Sequence, residues 1–281
     1  MNILVVNDDG IDALGLHKLA EALSKIASVY VCAPHVEQSG SGHGITIGKT
    51  VVIEEVEFPE AVMAISLEGK PADCVKIGIA AFRDRNVKID MVVSGFNHGM
   101  NLGTATLYSG TVAGAIEGAL CGLPAIAFSI SATNATKRIP QHFDTAMKVA
   151  ELIVSKVMSG DGMFRDDTFG SFGFEIKHNN CSIINVNFPD LPSEIIKGTK
   201  IVPIGYREHE DWFTAAKTEN GQDGYRYSGR PHHDDLGDEN TSDIIANAQG
   251  YITITPLQFD LTNFKAFENT KDELENVLEE I

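Results

Sequence analysis

No stretch of about 18 consecutive apolar residues occurs in this 281-residue chain, so it offers no transmembrane helix. Basic residues are scarce: 22 Lys and Arg face 39 Asp and Glu, a formal net charge of −17. A duplex nucleic-acid binder normally presents a basic face, and the balance argues against that class. Small phosphate ligands stay open, because a metal ion or a helix N-terminus supplies positive potential locally. The four cysteines, Cys32, Cys74, Cys121 and Cys181, include no C-x-x-C pair, which excludes a zinc ribbon and a dithiol redox motif. They read as small buried hydrophobes in a reducing cytoplasm. The segment MNILVVNDDG reaches two aspartates by position 9, unlike a secretory signal peptide, and a cytoplasmic location is expected. Internal repeats and low-complexity tracts are also lacking. What remains, 43% hydrophobic and 22% charged residues, is the composition of a globular protein.

Asn2–Asn7 carries the apolar run ILVV between polar residues, the pattern of a strand buried on both faces. Leu14, Leu16, Leu19, Ala20 and Leu23 then recur at helical spacing, and Val29–Cys32 follows as a second strand. Strand, helix, strand is the βαβ unit of a parallel sheet. The pattern continues with strands over Val51–Val56 and Ala61–Ser66, joined near Pro59, and a helix over Ala72–Phe82. A strand over Ile89–Ser94, a small-residue helix over Gly110–Leu120 and a strand over Ala125–Ser129 come next. A helix over Phe143–Met158 and a strand over Ile183–Val186 complete the predicted α/β core. Beyond about residue 190 the alternation stops. Residues 206–243 are polar and rich in Gly, Asp and His, a length that calls for function or a partner, and Gly221 with Tyr225–Tyr227 predicts a hairpin there. Tyr251–Thr255 predicts a strand ended by Pro256, and Lys271–Ile281 an acidic amphipathic helix. The expected division is a core over 1–190 and a C-terminal region over 191–281, whose strand 251–255 returns to the core.

Ligands of an open parallel sheet bind beyond the carboxyl ends of its strands. Three loops at such positions carry chemistry. In Asn7-Asp8-Asp9-Gly10, adjacent carboxylates suit a hard cation such as Mg²⁺ or Mn²⁺, or else cap the following helix. In Gln38-Ser39-Gly40-Ser41-Gly42, small residues with free amides cradle an anion and a hydroxyl can ligate a metal, or the stretch is a plain linker. His35 and His43 flank it without an assigned role. The third runs from Ser94 to Gly103 and on through Tyr108-Ser109-Gly110-Thr111. Its asparagines offer amide groups to metal or phosphate, and Ser109-Gly110-Thr111 opens a helix, where phosphate binds. Turn chemistry alone would also explain Asn and Gly in such numbers. No Walker sequence and no G-x-G-x-x-G are present.

With these stretches in view, ILVVNDDGIDALGL (3–16), APHVEQSGSGHGIT (33–46), GKPADCVKIG (69–78), SGFNHGMNLGTATLYSGTVAGAIEG (94–118), INVNFPDLP (184–192) and GYITITPLQFDLT (250–262), the chain resembles the SurE family of stationary-phase survival proteins. The resemblance implies a Rossmann-like, mostly parallel sheet with helices on both faces. It implies a C-terminal β-hairpin, about 206–243, and a tail exchanged between subunits of a homo-oligomer, dimer or tetramer. It implies hydrolysis of nucleoside monophosphates by a 5′-nucleotidase, with 3′-nucleotides and short polyphosphate as further substrates. One divalent cation per subunit, Mg²⁺ or Mn²⁺, is implied, with Asp8, Asp9, Ser39 and Asn97 matching its ligands and Asp8 and Asp9 as catalytic residues. Asn101, Ser109, Gly110 and Thr111 match the phosphate-side loop. The chain departs from the family after Asn-x-Gly, where Gly103-Thr104-Ala105-Thr106 replaces the usual acidic residues.

From ligand types alone, a cation on Asp8 and Asp9 would neutralise phosphate and stabilise the developing oxyanion. The nucleophile could be water or an aspartate. A non-catalytic nucleotide- or metal-sensing module is the alternative, and a dehydrogenase is a third, weakened by the missing dinucleotide fingerprint.

Overall fold

The computed structural model describes residues 1–131, 140–159, 183–210, 213–227, 230–235 and 242–274. Its centre is a nine-stranded sheet built from β1 (Asn2–Val6), β2 (Ser28–Pro34), β3 (Ile53–Val56), β4 (Met63–Leu67), β5 (Met91–His98), β6 (Ala125–Ile130), β7 (Ile183–Phe188), β8 (Thr199–Ile201) and β13 (Ile252–Leu257), in the order β3-β4-β2-β1-β5-β6-β7-β13-β8. Only the β3–β4 and β7–β13 pairings are antiparallel. Helices α1 (Leu14–Ser24), α2 (Pro71–Arg83), α3 (Gly110–Leu120) and α4 (Phe143–Met158) cover the sheet.

The uninterrupted ILVV of β1 is explained by those two layers. Ile3 and Val5 pack with Leu16, Leu19 and Leu23 of α1 and with Ala150 and Val154 of α4. Leu4 and Val6 pack on the other side with Cys74, Val75 and Phe82 of α2 and with Val112, Ala115 and Ala119 of α3. Successive strand residues point to opposite faces, so a strand sandwiched between helix layers must be apolar at both parities. Helix α3 lies unusually close: a Cβ on Gly118 would stand 2.6 Å from Val92, and one on Gly114 3.0 Å from Ser94.

Strand β5 runs four residues past the expected end at Ser94. Its register against β6 shifts between Ser94 and Asn97 and then resumes, with Asn97 opposite Ser129 and His98 opposite Ile130. Asn97 therefore sits on a strand and not in a loop. Pro256 was expected to end the last strand, yet it lies inside β13 opposite Ile184. Ile252 donates to Gly198 on the β8 side at 2.9 Å, so Pro256, of the same parity, turns its missing N–H past the end of β8, where no ladder bond is lost. The tail helix α6 is Phe264–Leu274, starting seven residues before the expected Lys271, and 275–281 lie outside the described residues. Cys32 and Cys74 are buried as expected, whereas Cys121 is exposed at the C-cap of α3, and Cys181 is outside the described residues.

The polar insert is a hairpin in two tiers. β9 (Arg207–Glu210) pairs with β12 (Arg230–Asp235), and β10 (Phe213–Lys217) with β11 (Asp223–Tyr227), both antiparallel. Gly221, at φ 78°, makes the turn with its N–H on Thr218 at 2.9 Å. A short helix, α5 (Asp243–Ala248), leads back to β13, which enters the sheet between β7 and β8. Among the described residues no helix is long and apolar enough to cross a membrane.

Candidate active site

Strand β1 has β2 on one side and β5 on the other, so the chain changes direction across the sheet there, and a crevice opens beyond the carboxyl ends of these strands. Asp8 and Asp9 lie in it. Neither caps α1, whose N-cap is Ala13. The loop around them is built by Asn7, whose Nδ2 donates to Gly10 O at 2.8 Å, and by Gly10 at φ 104°, after which Ile11 N donates to Pro34 O at 2.9 Å.

Asp8 is 4% exposed and packs on the first turn of α3. Thr111 donates its hydroxyl to Asp8 Oδ1, and its backbone also bonds the carboxylate. Gly110 makes the approach possible: a Cβ there would stand 2.8 Å from both Asp8 Cβ and Oδ2. The positive end of the α3 dipole therefore faces Asp8. Burial, with the charge of Asp9 beside it, nevertheless pushes the Asp8 carboxyl up to about 6, against the pull of the Thr111 bonds. Asp9 is pushed up to about 6 by burial, partly opposed by the His98 N–H and reinforced by Glu37. That N–H reaches Asp9 Oδ2 at 2.9 Å.

The other residues singled out from sequence fall into place around this pair. Asn97 directly precedes His98, and its Nδ2 donates to Gly99 O at 2.8 Å, a bond in which the amide oxygen takes no part. Ser39 belongs to a loop tied to Asp8 by Gln38 N on Asp8 O at 2.7 Å; its exposed hydroxyl donates to Glu37 Oε1 at 2.5 Å. Ser109 is buried as the N-cap of α3, its oxygen accepting from Val112 N at 3.0 Å. Two residues expected on the phosphate side are engaged elsewhere. The hydroxyl of Thr111 serves Asp8. Asn101 is buried in an amide network: its Nδ2 donates to Ser129 Oγ at 2.8 Å, its N–H to Asn187 Oδ1 at 2.8 Å, and its carbonyl accepts from Asn185 at 2.8 Å and Asn187 at 3.1 Å.

The Ser39 loop is clamped to both helices that flank the crevice. His43 Nε2 lies 2.8 Å from Glu117 Oε2 of α3, and Lys76 Nζ of α2 lies 2.9 Å from Glu117 Oε1. Burial would raise the Glu117 carboxyl, but the His43 and Lys76 bonds outweigh it and hold it low. Thr46 bonds Asp73 at the start of α2 through its N–H (3.0 Å) and hydroxyl (2.7 Å). His43 thus acquires a role the sequence left unassigned, because its partner lies 74 positions away. His98, within the third loop, likewise meets Asp9 and Gly15, 89 and 83 positions away.

Among the described residues no three His, Cys, Asp or Glu gather as a metal centre. The residues expected from sequence to hold a cation offer two carboxylates, an amide oxygen and a hydroxyl, all hard oxygen donors. This set fits a divalent cation on one observation: two adjacent carboxylates, Asp8 buried and Asp9 largely so, both have their carboxyls raised, and among the described residues neither pairs with a Lys or Arg. A cation would supply the missing positive charge.

The family model described as Survival protein SurE matches residues 3–211. The chain is 39% identical over 274 residues to the 5′-nucleotidase SurE of Alkaliphilus metalliredigens, covering 97% of this chain and 98% of that one. It is 38% identical over 275 residues to the 5′-nucleotidase SurE of Kosmotoga olearia, covering 98% and 99%. The crystal structure of the SurE protein from Aquifex aeolicus superposes with a TM-score of 0.75 at 32% identity, covering 97% of this chain and 99% of that one. On the match over 3–211 and these near-full-length relatives, the chain belongs to the SurE family.

Proposed function

We propose that this protein is a divalent-cation-dependent 5′-nucleotidase, hydrolysing nucleoside monophosphates to nucleoside and phosphate. One observation carries the reading: adjacent carboxylates stand at the sheet crossover, Asp8 buried against the glycine that opens α3 and Asp9 with its side chain only 11% exposed. The relatives bearing the name 5′-nucleotidase support the substrate class.

Asp8, Asp9, Asn97 and Ser39 would hold Mg²⁺ or Mn²⁺, which when bound neutralises phosphate charge and stabilises the oxyanion. Ser109 already accepts from Val112 and keeps its own hydrogen to donate to a phosphoryl oxygen, at the N-terminus of α3. Thr111 holds Asp8, and Asn101 pins the loop that leads into Ser109. Asp9 takes up on Oδ1 the proton of a water attacking phosphorus in line and passes it to the nucleoside oxygen as its bond to phosphorus breaks, so that nucleoside alcohol and phosphate leave. The frame is rigid because these groups sit on strand ends and a helix start. Residues 1–190 form the catalytic core on this reading. Assembly to a dimer or tetramer uses the hairpin and tail of 191–281, where Phe213, Tyr225, Tyr227, Leu261, Phe264 and Phe267 are exposed. Exposed Cys121 carries a free thiol, which suits a reducing cytoplasm.

The test is phosphate release from a panel of nucleoside 5′- and 3′-monophosphates with Mg²⁺, Mn²⁺ or EDTA. Release that EDTA abolishes and excess cation restores is expected, and release indifferent to chelator refutes the metal dependence. Nucleotide binding with no release would favour the sensing module.

A further inference from the structure

The imidazole of His98 touches both the carboxylate loop and the first helix, and none of the assigned roles uses it. Its peptide N–H donates to Asp9 Oδ2 at 2.9 Å. Its Nε2 accepts from Gly15 N at 3.1 Å, so the proton of the neutral ring belongs on Nδ1. That Nδ1 faces the same Asp9 Oδ2 at 4.0 Å, with the two side chains only 15% and 11% exposed. The ring is boxed in: it packs edge-on against Phe143 with centroids 6.4 Å apart, and a Cβ on Gly15 would stand 3.0 Å from Nε2.

We propose that His98 is the positioning residue for Asp9, its peptide N–H and its Nδ1–H together engaging Oδ2 so that Oδ1 is the oxygen left for the cation; the proposal rests on the metal-dependent reading above. At 4.0 Å the side-chain contact exceeds hydrogen-bond length, so in this state the ring acts through its N–H dipole. Hydrogen bonds at such sites tighten once the site is loaded. Outer partners of this kind set the orientation and basicity of metal-binding carboxylates, and losing one costs about 10–100-fold in metal affinity or activity.

Two replacements separate the two ring nitrogens. His98→Asn keeps a side-chain N–H at the δ position and loses the acceptor for Gly15. His98→Gln keeps an ε oxygen for Gly15 and loses the δ donor. The measurement is calorimetric titration of Mn²⁺ into chelator-stripped full-length protein, with melting curves in parallel. His98→Ala and His98→Gln are expected to bind Mn²⁺ about 10–100-fold more weakly than wild type, and His98→Asn within about threefold of it. The His98→Gln result decides the matter if His98→Ala does not fold, since the Gly15 bond is retained. Wild-type affinity in His98→Gln overturns the proposal. Where that happens while Asp9→Asn loses Mn²⁺, the metal site stands and only the role of His98 falls. A wild type that binds no Mn²⁺ overturns both.

Discussion

Thr111 and Asp8 are 103 positions apart, and the hydroxyl of one donates to the carboxylate of the other. The bond joins the end of β1 to the start of α3 at the point where the sheet changes direction. Thr111→Val keeps the shape and removes the donor. It is expected to cost about 1–3 kcal/mol in urea denaturation, the penalty for an unsatisfied buried acceptor. Because that bond holds the Asp8 carboxyl down, the acid limb of the activity profile should move to higher pH. Thr111→Ser should restore both. An unmoved acid limb in Thr111→Val would show that Asp8 does not govern it.

Asp9→Asn discriminates a metal carboxylate from a helix cap. Asparagine caps about as well as aspartate, and α1 is in any case capped at Ala13. Turnover and Mn²⁺ affinity should fall by more than about 100-fold, beyond the loss of an outer partner. The melting temperature in EDTA should hold or rise, since a buried charge is removed. Retained activity would return Asp9 to a structural role.

The raised carboxyls fix the sign of a pH effect on stability. Asp8 and Asp9 move from 3.8 to about 6 on folding, so between these values the folded chain binds more protons than the unfolded chain. Their contribution is therefore fully present at low pH and is lost as pH rises through about 6. Each accounts for a loss on the order of 3 kcal/mol. In EDTA, wild type should lose stability relative to Asp9→Asn between pH 4 and 6, as read by urea midpoints. Mn²⁺ should restore stability above that range, where cation and proton no longer compete. Parallel stability curves for wild type and variant would contradict the raised carboxyl.

Ser109 has two roles that one substitution separates by magnitude. Ser109→Ala loses the cap bond to Val112, about 1 kcal/mol of stability. It also loses the donor assigned to phosphate, about 10²–10³ in turnover. Mn²⁺ affinity should stay near wild type, as calorimetry can show. A drop in turnover no larger than the cap loss explains would remove Ser109 from the phosphate site.

What the sequence determined by itself was local or periodic. The doubly buried ILVV of β1, the helical spacing of Leu16, Leu19 and Leu23 and the small-residue face of α3 are visible because burial on one face or two imposes its own period. The adjacency of Asp8 and Asp9, and the glycine beside Thr111, are likewise visible as contiguous residues. The tertiary structure alone decided which distant groups meet them. That the Thr111 hydroxyl donates to Asp8, that Asn101 turns into a buried amide network and that His43 clamps to Glu117 all depend on how β1, β5, α2 and α3 are arranged. The continuation of β5 through Asn97 and His98 depends on β6, whose Ser129 and Ile130 pair with them despite the glycine that precedes. Pro256 can lie in a strand because β8 ends before it. No spacing along one chain carries such information, because side-chain partners follow from sheet order and helix placement, which the whole core fixes at once.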